Sequence, residues 1–402
     1  MPEKQRPEVW DSQLEQIAVR APSWSSDENR PQAEAISVAS VWQMESPETA
    51  NAALAGRDGA FVYRRDGHPN ERSLGSKLAE LHGAASASIT AQGMSAVGAV
   101  ALATLEPGAE VWIANELYGK STQLFSKDLA RWGTKCTLFD PTSQEDLQRL
   151  SDSRARLVMV ETISNPRLNV PCLKSLAEIT HAVGGKLAVD NTFATHLLCR
   201  PIDFGADIVV ESLGKQVNGH SDAMVGLVAS KDQDLGDAIA ATISTFGMAS
   251  SPLDCFLTQR GLATIAVRME RACANALQLA EQLNALEGIQ VDYPGLSSHR
   301  HRSLALEQLK GGFGWMVTIH LQPDSEFVMQ LFEHLSPEIA FVPSLGDVCT
   351  TLSHPASTSH RGYTVEERAA LGIHEGTVRV SCGIEPGEWL VKRFCDAVKS
   401  LS

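Results

Sequence analysis

Residues 209–226 read VVESLGKQVNGHSDAMVG. The β-branched pair at its start leads to an acid and a serine, and a single lysine, Lys215, follows before small polar residues. This pattern predicts a buried strand that ends just before Lys215. Lysines near strand edges are most often solvated residues that prevent edge pairing, but one that follows a buried strand can project into a ligand site.

The same strand–turn–helix pattern recurs on the N-terminal side of this stretch. From about residue 75, helical segments alternate with short apolar runs, namely ASASIT, EVWIAN, KCTLFD, RLVMVET, KLAVD and DIVVES. This alternation predicts an α/β fold with a mainly parallel, doubly wound sheet covered by helices on both faces. After about residue 260, the long helical segment GLATIAVRMERACANALQLAEQL and the strand-like GFGWMVTIHL and TVRVSCGI predict a smaller α+β C-terminal domain.

We therefore expect three parts: an N-terminal arm over residues 1–60, a larger α/β domain over 61–260 and a C-terminal domain over 261–402. The 34 basic and 48 acidic residues give a formal charge of −14, which argues against a nucleic-acid or anionic-membrane partner and favours a small molecule. No apolar run approaches a membrane span, and the N-terminus lacks the apolar core of a secretory signal. The eight scattered cysteines are typical of a reducing, cytoplasmic compartment and show no metal-site spacing.

Ligands of doubly wound sheets bind beyond the carboxyl ends of the strands. That rule selects four short segments, namely 115–118, 161–165, 190–192 and 212–215. Within them, a lysine held near apolar surface has a lowered pKa and can act as a nucleophilic amine, which suits Lys215. A carboxylate at the end of KLAVD, Asp190, can pair with a protonated pyridine nitrogen, as sites for pyridoxal phosphate (PLP) require.

Two further features fit such a site, although each is common in other settings. Gly93 opens a helix after the strand ASASIT, where backbone N–H groups can approach an anion. Tyr118, one of only four tyrosines, lies at a strand-end turn and presents a ring that can stack on a heterocycle. An ordinary strand–helix turn and a core tyrosine are the simpler interpretations.

Eight motifs occur in a familiar order over residues 61–385: FVYRRDGHPN, AQGMSAVGA, ELYGKSTQLF, VETISNPRLNV, VDNTFAT, ESLGKQVNGHSD, PSLGDVCTTLSHPAS and VRVSCGIE. Together they resemble the Cys/Met-metabolism family of PLP-dependent enzymes, which includes cystathionine γ-synthase, cystathionine γ-lyase, methionine γ-lyase and O-acetylhomoserine sulfhydrylase. The resemblance implies the PLP fold type I, with residues 61–260 as the PLP-binding domain.

By this resemblance, Lys215 would bind the cofactor covalently and carry protons between Cα and Cβ of the substrate. Asp190 would pair with the pyridine nitrogen, and Tyr118 would stack on the ring. The residues that would bind the phosphate within the same subunit are Gly93, Met94 and Ser212.

The resemblance also implies a substrate site and a shared subunit interface. Arg379, with Ser344 and Asn165, would hold the α-carboxylate of an amino-acid substrate through the bidentate fork of the guanidinium. Tyr63 and Arg65 would reach the phosphate of a neighbouring subunit. We therefore expect a homo-oligomer with shared active sites, most simply a homotetramer.

Four positions depart from the family pattern. Gly214 replaces the usual threonine or serine before the lysine, so one phosphate hydroxyl is missing. Gln123 and Cys349 replace the arginine and glutamate of relatives that handle cystathionine, and Lys120 replaces a small residue. By the resemblance, these positions line the distal end of the substrate, so the loss of both charges disfavours a substrate with a second zwitterionic end, such as cystathionine.

The sequence thus predicts a PLP-dependent trans-sulfuration enzyme that acts by γ-elimination or γ-replacement on a sulfur- or homoserine-derived amino acid, as in the group of cystathionine γ-lyase and cystathionine γ-synthase. Within that group, an activity like that of methionine γ-lyase or O-acetylhomoserine sulfhydrylase is the alternative. A non-catalytic binding protein with the same fold is the alternative from another functional class.

Overall fold

The computed structural model describes residues 11–20, 31–55, 59–322 and 325–401. The larger sheet has seven strands, namely β1 (Ser86–Thr90), β2 (Glu110–Ala114), β3 (Lys135–Phe139), β4 (Ala155–Glu161), β5 (Lys186–Asp190), β6 (Ile208–Ser212) and β7 (Gly226–Ser230). Their order is β1-β7-β6-β5-β4-β2-β3, and β7 runs antiparallel to both of its neighbours. The predicted mainly parallel α/β sheet is confirmed, whereas β7 was not predicted.

Fifteen α-helices are found in the described residues. They are α1 (Ser12–Val19), α2 (Pro47–Leu54), α3 (Pro69–His82), α4 (Gly93–Thr104), α5 (Gly119–Gln123), α6 (Gln144–Ser151), α7 (Leu173–Ala182), α8 (Thr195–Leu198), α9 (Gln233–Thr245), α10 (Pro252–Leu262), α11 (Ile265–Asn284), α12 (Arg302–Gln308), α13 (Ser325–Leu335), α14 (Val365–Ala370) and α15 (Gly387–Lys399).

The strand sequences place two apolar layers on opposite faces of the larger sheet. In β6, Val209 packs into the same core as α3 and α7, whereas Val210 packs into a second core with α4 and α9. Because successive side chains of a strand point to opposite faces, a continuous apolar run buries both sides. This explains why the central strands are almost uniformly apolar until their last one or two residues.

The smaller sheet is mixed and follows the long helix α11. Its strands are β8 (Gln290–Asp292), β9 (Met316–His320), β10 (Ala340–Phe341), β11 (Thr351–Ser353) and β12 (Thr377–Ser381), in the order β10-β11-β12-β9-β8. Only the β10–β11 pair is parallel. In α15, Leu390 and Phe394 are buried one helical turn apart, so one stripe of the helix packs on this core.

The long helix predicted from residue 261 is α11, which begins at Ile265, whereas Gly261 and Leu262 end the preceding helix α10. Between them, Thr264 donates both its N–H and its hydroxyl to the carbonyl of Gly261, at 3.0 and 3.1 Å. A β-carbon at Gly261 would lie 2.3 Å from the carbonyl oxygen of Asn218. The break therefore lies where α10 contacts the loop that follows Lys215.

The N-terminal segment is attached to the larger sheet layer. Helix α1 buries Leu14 and Ile17 in the main core beside α3, and Lys77 of α3 donates to the carbonyl of Arg20 at 2.8 Å. Residues 1–10, 21–30 and 56–58 of the proposed arm lie outside the described residues. The boundaries at residues 60 and 260 stay predictions.

Among the described helices, none combines the length and apolar character that a bilayer-spanning helix needs.

Candidate functional site

A cavity of about 930 Å³ lies between the carboxyl ends of the larger sheet and the loops of the smaller one. Strands β4, β5 and β6 contribute their ends to its wall, and β12 contributes Arg379. The structure brings together most of the predicted site residues here, namely Gly93, Met94, Tyr118, Asn165, Asp190, Ser212, Lys215, Ser344 and Arg379. Tyr63 and Arg65 do not line this cavity.

Lys215 lies in the turn that follows β6. Its Nζ donates to the Oγ of Ser344 at 2.7 Å, so the amine points towards the smaller sheet across the cavity. Burial, and secondarily the nearby charge of Arg379, lower the pKa of the Lys215 amine below its usual value. A larger fraction of the amine is therefore neutral near pH 7, which is the form that accepts protons and attacks carbonyl carbons.

The turn that carries Lys215 is fixed from behind by a buried guanidinium. Arg268 of α11 donates from Nη1 to the carbonyl of Gln216 at 2.6 Å and from Nη2 to the carbonyl of Val217 at 2.8 Å. The sequence patterns assigned Arg268 no role, because nothing in its helix shows that it faces a loop about 50 residues earlier. Its contacts define the backbone path on which the lysine stands.

Asp190 is the last residue of β5. Its Oδ1 accepts from the backbone N–H of Thr192 at 3.0 Å. Burial is the main cause that raises the pKa of this carboxyl to about 6, and the charge of Glu211 adds to the rise. A cation placed against Asp190 would favour the ionised carboxylate, so this position suits a protonated ring nitrogen.

Tyr118 directly precedes α5, is 39% exposed and lines the cavity. Its backbone N–H donates to Glu161 Oε1 at 2.9 Å, which ties the turn to the end of β4. Burial, followed by repulsion from Asp190, raises the pKa of Glu161 well above its usual value. Glu161 belongs to a segment that the strand-end rule selected, but no role was assigned to it.

The N-terminus of α4 meets the end of β6 closely enough to form a cradle. The N-cap residue Gln92 makes no side-chain cap, and a β-carbon at Gly93 would lie only 2.9 Å from the β-carbon of Ser212. Backbone N–H groups at such an uncapped helix start attract anions, and the glycine allows close approach. Gly93, Met94 and Ser212 therefore form an arrangement suited to a phosphate.

Arg379 supplies a buried cation on the opposite wall. Its Nε donates to Ser353 Oγ at 3.0 Å, and its Nη1 donates to Oδ1 of Asn165. Burial lowers the pKa of this guanidinium to about 10, so it stays charged at neutral pH. A fixed guanidinium beside an amide side chain suits the carboxylate of an amino acid.

Tyr63 and Arg65 lie on the surface beside a short turn at residues 64–66. The guanidinium of Arg65 lies 4.9 Å from the centroid of the Tyr63 ring, and both side chains are about half exposed. Tyr63 pairs with Val41 through an isolated antiparallel bridge. Their predicted role in a neighbouring subunit stays a prediction.

The departures from the family pattern have different structural outcomes. A β-carbon at Gly214 would lie 2.5 Å from the carbonyl oxygen of Ala223, so that loop occupies the space of a side chain. Lys120 and Gln123 both line the cavity, and Lys120 Nζ donates to Gln123 Oε1 at 3.1 Å. The expectation that Cys349 lines the distal end is wrong. It is exposed outside the cavity, in a turn where Asp347 accepts its N–H at 2.9 Å.

Part of the cavity wall comes from a segment to which the sequence patterns assigned no role. Ser357, Arg361, Tyr363 and Glu367 approach α5 from the smaller sheet, and a β-carbon at Gly119 would lie 2.8 Å from the carbonyl oxygen of Ser359. The only sequence signal was the LSHPAS motif just before this segment.

The chain is similar to known proteins over most of its length. The family model described as "Cys/Met metabolism PLP-dependent enzyme" matches residues 15–399. An L-methionine γ-lyase of Porphyromonas gingivalis is 33% identical over 365 residues, which is 90% of this chain and 91% of that protein. A cystathionine β-lyase of Bacillus subtilis is 34% identical over 345 residues, covering 86% of this chain and 87% of that protein.

A solved structure agrees with the chain over almost its full length. The crystal structure of cystathionine γ-synthase from Xanthomonas oryzae pv. oryzae, in complex with aminoacrylate and cysteine, superposes with a TM-score of 0.91 at 34% identity. The match covers 96% of this chain and 98% of that one. The names of these relatives differ in reaction type.

Proposed function

Since the chain belongs to the Cys/Met-metabolism family of PLP-dependent enzymes, we propose that it catalyses γ-elimination or γ-replacement on a sulfur- or homoserine-derived amino acid. The observation that carries the proposal is the Lys215–Ser344 hydrogen bond, at 2.7 Å, inside a cavity whose opposite wall holds the buried Arg379. A proton-accepting amine and a carboxylate-binding cation thus face one space large enough for a cofactor and an amino acid.

The residues present fit PLP. The cradle at Gly93 and Ser212 would hold its phosphate, Asp190 its pyridine nitrogen, Tyr118 one face of its ring, and Lys215 its aldehyde carbon. When bound, PLP withdraws electrons from an amino acid joined to it and so makes Cα–H and Cβ–H bonds acidic.

Lys215 is the residue that moves protons in this proposal. Its lowered pKa makes the free amine a base near neutral pH, able to accept a proton from Cα and, once it has given that proton up again, a second one from Cβ. Removal of a Cβ proton is the step that allows a substituent to leave from Cγ. Ser344 Oγ accepts from the amine at 2.7 Å and thereby restricts where it points.

Arg379 and Asn165 orient the substrate for these transfers. The guanidinium would bind the α-carboxylate in place of part of its present contact with Asn165, and the amide would donate to the same group. This fixes Cα on the Lys215 side of the cavity. The retained lysine, aspartate and arginine favour catalysis over the non-catalytic alternative.

The exposed pair of Tyr63 and Arg65 supports a site shared between two copies of the chain. Neither residue lines the cavity of its own subunit, and both side chains are about half exposed, with the guanidinium of Arg65 4.9 Å from the centroid of the Tyr63 ring and 3.7 Å from Asp66. We infer that this pair reaches the phosphate cradle of a second subunit and that the active form is a dimer or a pair of dimers.

Product analysis tests the proposal. The purified enzyme is incubated with L-methionine, L-cystathionine, L-homocysteine and O-acylhomoserines, each with and without an added thiol. Release of 2-oxobutanoate indicates γ-elimination, and a new thioether indicates γ-replacement. The Lys215→Ala variant is the control and should be inactive. Pyruvate as the only 2-oxo acid, or a borohydride-reducible cofactor adduct in Lys215→Ala, would contradict the assignment.

A further inference from the structure

The rim of the active-site cavity carries a charge opposite to that of the whole chain. Three exposed cations line it, namely Lys120, Lys127 and Arg361, and we call them the cationic rim. The chain as a whole has a formal charge of −14. A cleft lined by one sign of charge concentrates ligands of the opposite sign.

These cations are not neutralised within the part of the chain that the structure describes. No carboxylate of the described residues forms an ion pair with any of the three, and Lys120 Nζ instead donates to the neutral amide oxygen of Gln123 at 3.1 Å. Glu367 also lines the cavity, but its Oε2 accepts from the N–H of Thr364 at 2.7 Å in the cap of α14. The rim therefore has a net positive charge.

The acidic groups deeper in the cavity have other partners. The N–H of Tyr118 donates to Glu161, and the N–H of Thr192 donates to Asp190. The remaining acidic residue, Glu211, accepts from Asn191 Nδ2 at 2.9 Å. A second anionic group on a substrate would therefore meet cations at the rim and no free carboxylate there.

We propose that the cationic rim selects substrates whose γ-substituent ends in an anion, a carboxylate or a phosphate, over neutral or zwitterionic γ-substituents. This inference rests on the proposed function, because it assumes that the α-carboxylate is bound by Arg379 and that the γ-substituent extends towards α5. Lys120 is the main determinant of this selectivity, because it lies two residues after Tyr118 in the chain and lines the same cavity. Cystathionine carries an ammonium group at its far end, which the rim repels.

The test compares substrates that differ by one charge and one terminal methyl group. The kcat/KM of the holoenzyme is measured for O-succinylhomoserine and for the same compound with its succinyl carboxylate methylated. We expect a preference of about fivefold for the anion, which is about 1 kcal/mol at 1.4 kcal/mol per tenfold, as exposed ion pairs contribute. O-Phosphohomoserine forms a second arm that separates phosphate from carboxylate recognition. Raising the ionic strength should reduce kcat/KM only for the substrates with an anionic γ-substituent.

Matched variants assign the effect. Lys120→Met should lower the preference to about twofold, and Lys120→Met with Lys127→Met and Arg361→Met should abolish it, since exposed ion pairs each contribute at most about 1 kcal/mol. Lys135→Met removes the same charge at the start of β3, outside the cavity, and should leave the preference unchanged. An equal kcat/KM for the two esters, or a preference that survives the triple substitution, would overturn the inference.

A binding measurement separates this inference from the proposed function. The dissociation constants of both esters are measured by calorimetry on PLP-saturated Lys215→Ala protein, which does not turn over. If the wild-type enzyme acts on no homoserine ester or thioether while the anionic ester still binds more tightly than the methylated one, the proposed function is wrong and the preference of the cationic rim for anions stands. If both esters react and bind alike, the rim preference fails and the function stands.

Discussion

The contact between Gly93 and Ser212 gives a sharp test of the phosphate cradle. In Gly93→Ala, the new β-carbon would lie 2.9 Å from the Ser212 β-carbon, well inside ordinary van der Waals contact. Helix α4 or the end of β6 must then shift by a few tenths of an ångström. Overpacking of this kind costs about 1–3 kcal/mol. If the shift displaces the N–H groups that would bind the phosphate, PLP affinity should fall by roughly tenfold or more.

The same helix offers a matched control. A β-carbon at Gly98 would lie 3.6 Å from Met248 Cε, which is a normal contact, so Gly98→Ala should be accepted. Alanine is favoured over glycine inside a helix by about 1 kcal/mol, so this variant should be as stable as the wild type or more so. Gly98→Ala adds the same β-carbon to a glycine of the same helix, five positions after Gly93.

The assay is a titration of cofactor-free protein with PLP, followed by visible absorbance and by equilibrium dialysis, with thermal unfolding of each cofactor-free variant. We expect weaker PLP binding only in Gly93→Ala. Wild-type PLP affinity in Gly93→Ala, or an equal loss in Gly98→Ala, would refute the assignment of the cradle.

Three other predictions follow from the described contacts. Gly214→Ser should not add a phosphate ligand, because its β-carbon would lie 2.5 Å from the Ala223 carbonyl oxygen. Urea unfolding should show that the free energy of unfolding falls by about 1–3 kcal/mol. Tighter PLP binding at unchanged stability would contradict this prediction. Mixing Arg65→Ala protein with Lys215→Ala protein should restore part of the activity, because a mixed dimer would contain one intact site. If no activity returns after subunit exchange has been demonstrated, the sites are not shared. Burial lowers the pKa of His68 from 6.5 to about 4, so only the unfolded chain binds this proton between those values. The free energy of unfolding should therefore fall on acidification through this window, by about 1.4 kcal/mol per pH unit from this residue. His68→Asn should remove this contribution to the pH dependence. If urea unfolding of the variant keeps the wild-type pH dependence, His68 is not its source.

The sequence predicted the parts of the fold that depend on local pattern. Strands β1 to β6 were recognised because each is a short apolar run followed by a turn. Strand β7 was missed, since its five residues follow a polar loop and the βαβ alternation assigns no strand there. The break between α10 and α11 was also missed. It depends on a contact with Asn218, more than 40 residues earlier in the chain, which no helical periodicity encodes.

The candidate site divides in the same way. The strand-end rule placed Asp190 and Lys215 at one edge of the sheet, because parallel strands present their carboxyl ends together. Arg361 belongs to an irregular segment whose position depends on how the smaller sheet packs against the larger one. For the same reason Cys349, three residues beyond a glycine-centred turn, was wrongly assigned to the cavity.

The most direct test of the central claim is hydrogen exchange at the substrate. L-Methionine is incubated with the enzyme in deuterium oxide, and the recovered amino acid is examined by proton NMR. Proton transfer by Lys215 at both Cα and Cβ predicts deuterium at both carbons, with Lys215→Ala giving none at either. Exchange at Cα alone would contradict γ-chemistry and leave a reaction that ends at Cβ, and exchange at Cβ in Lys215→Ala would show that another residue moves the proton.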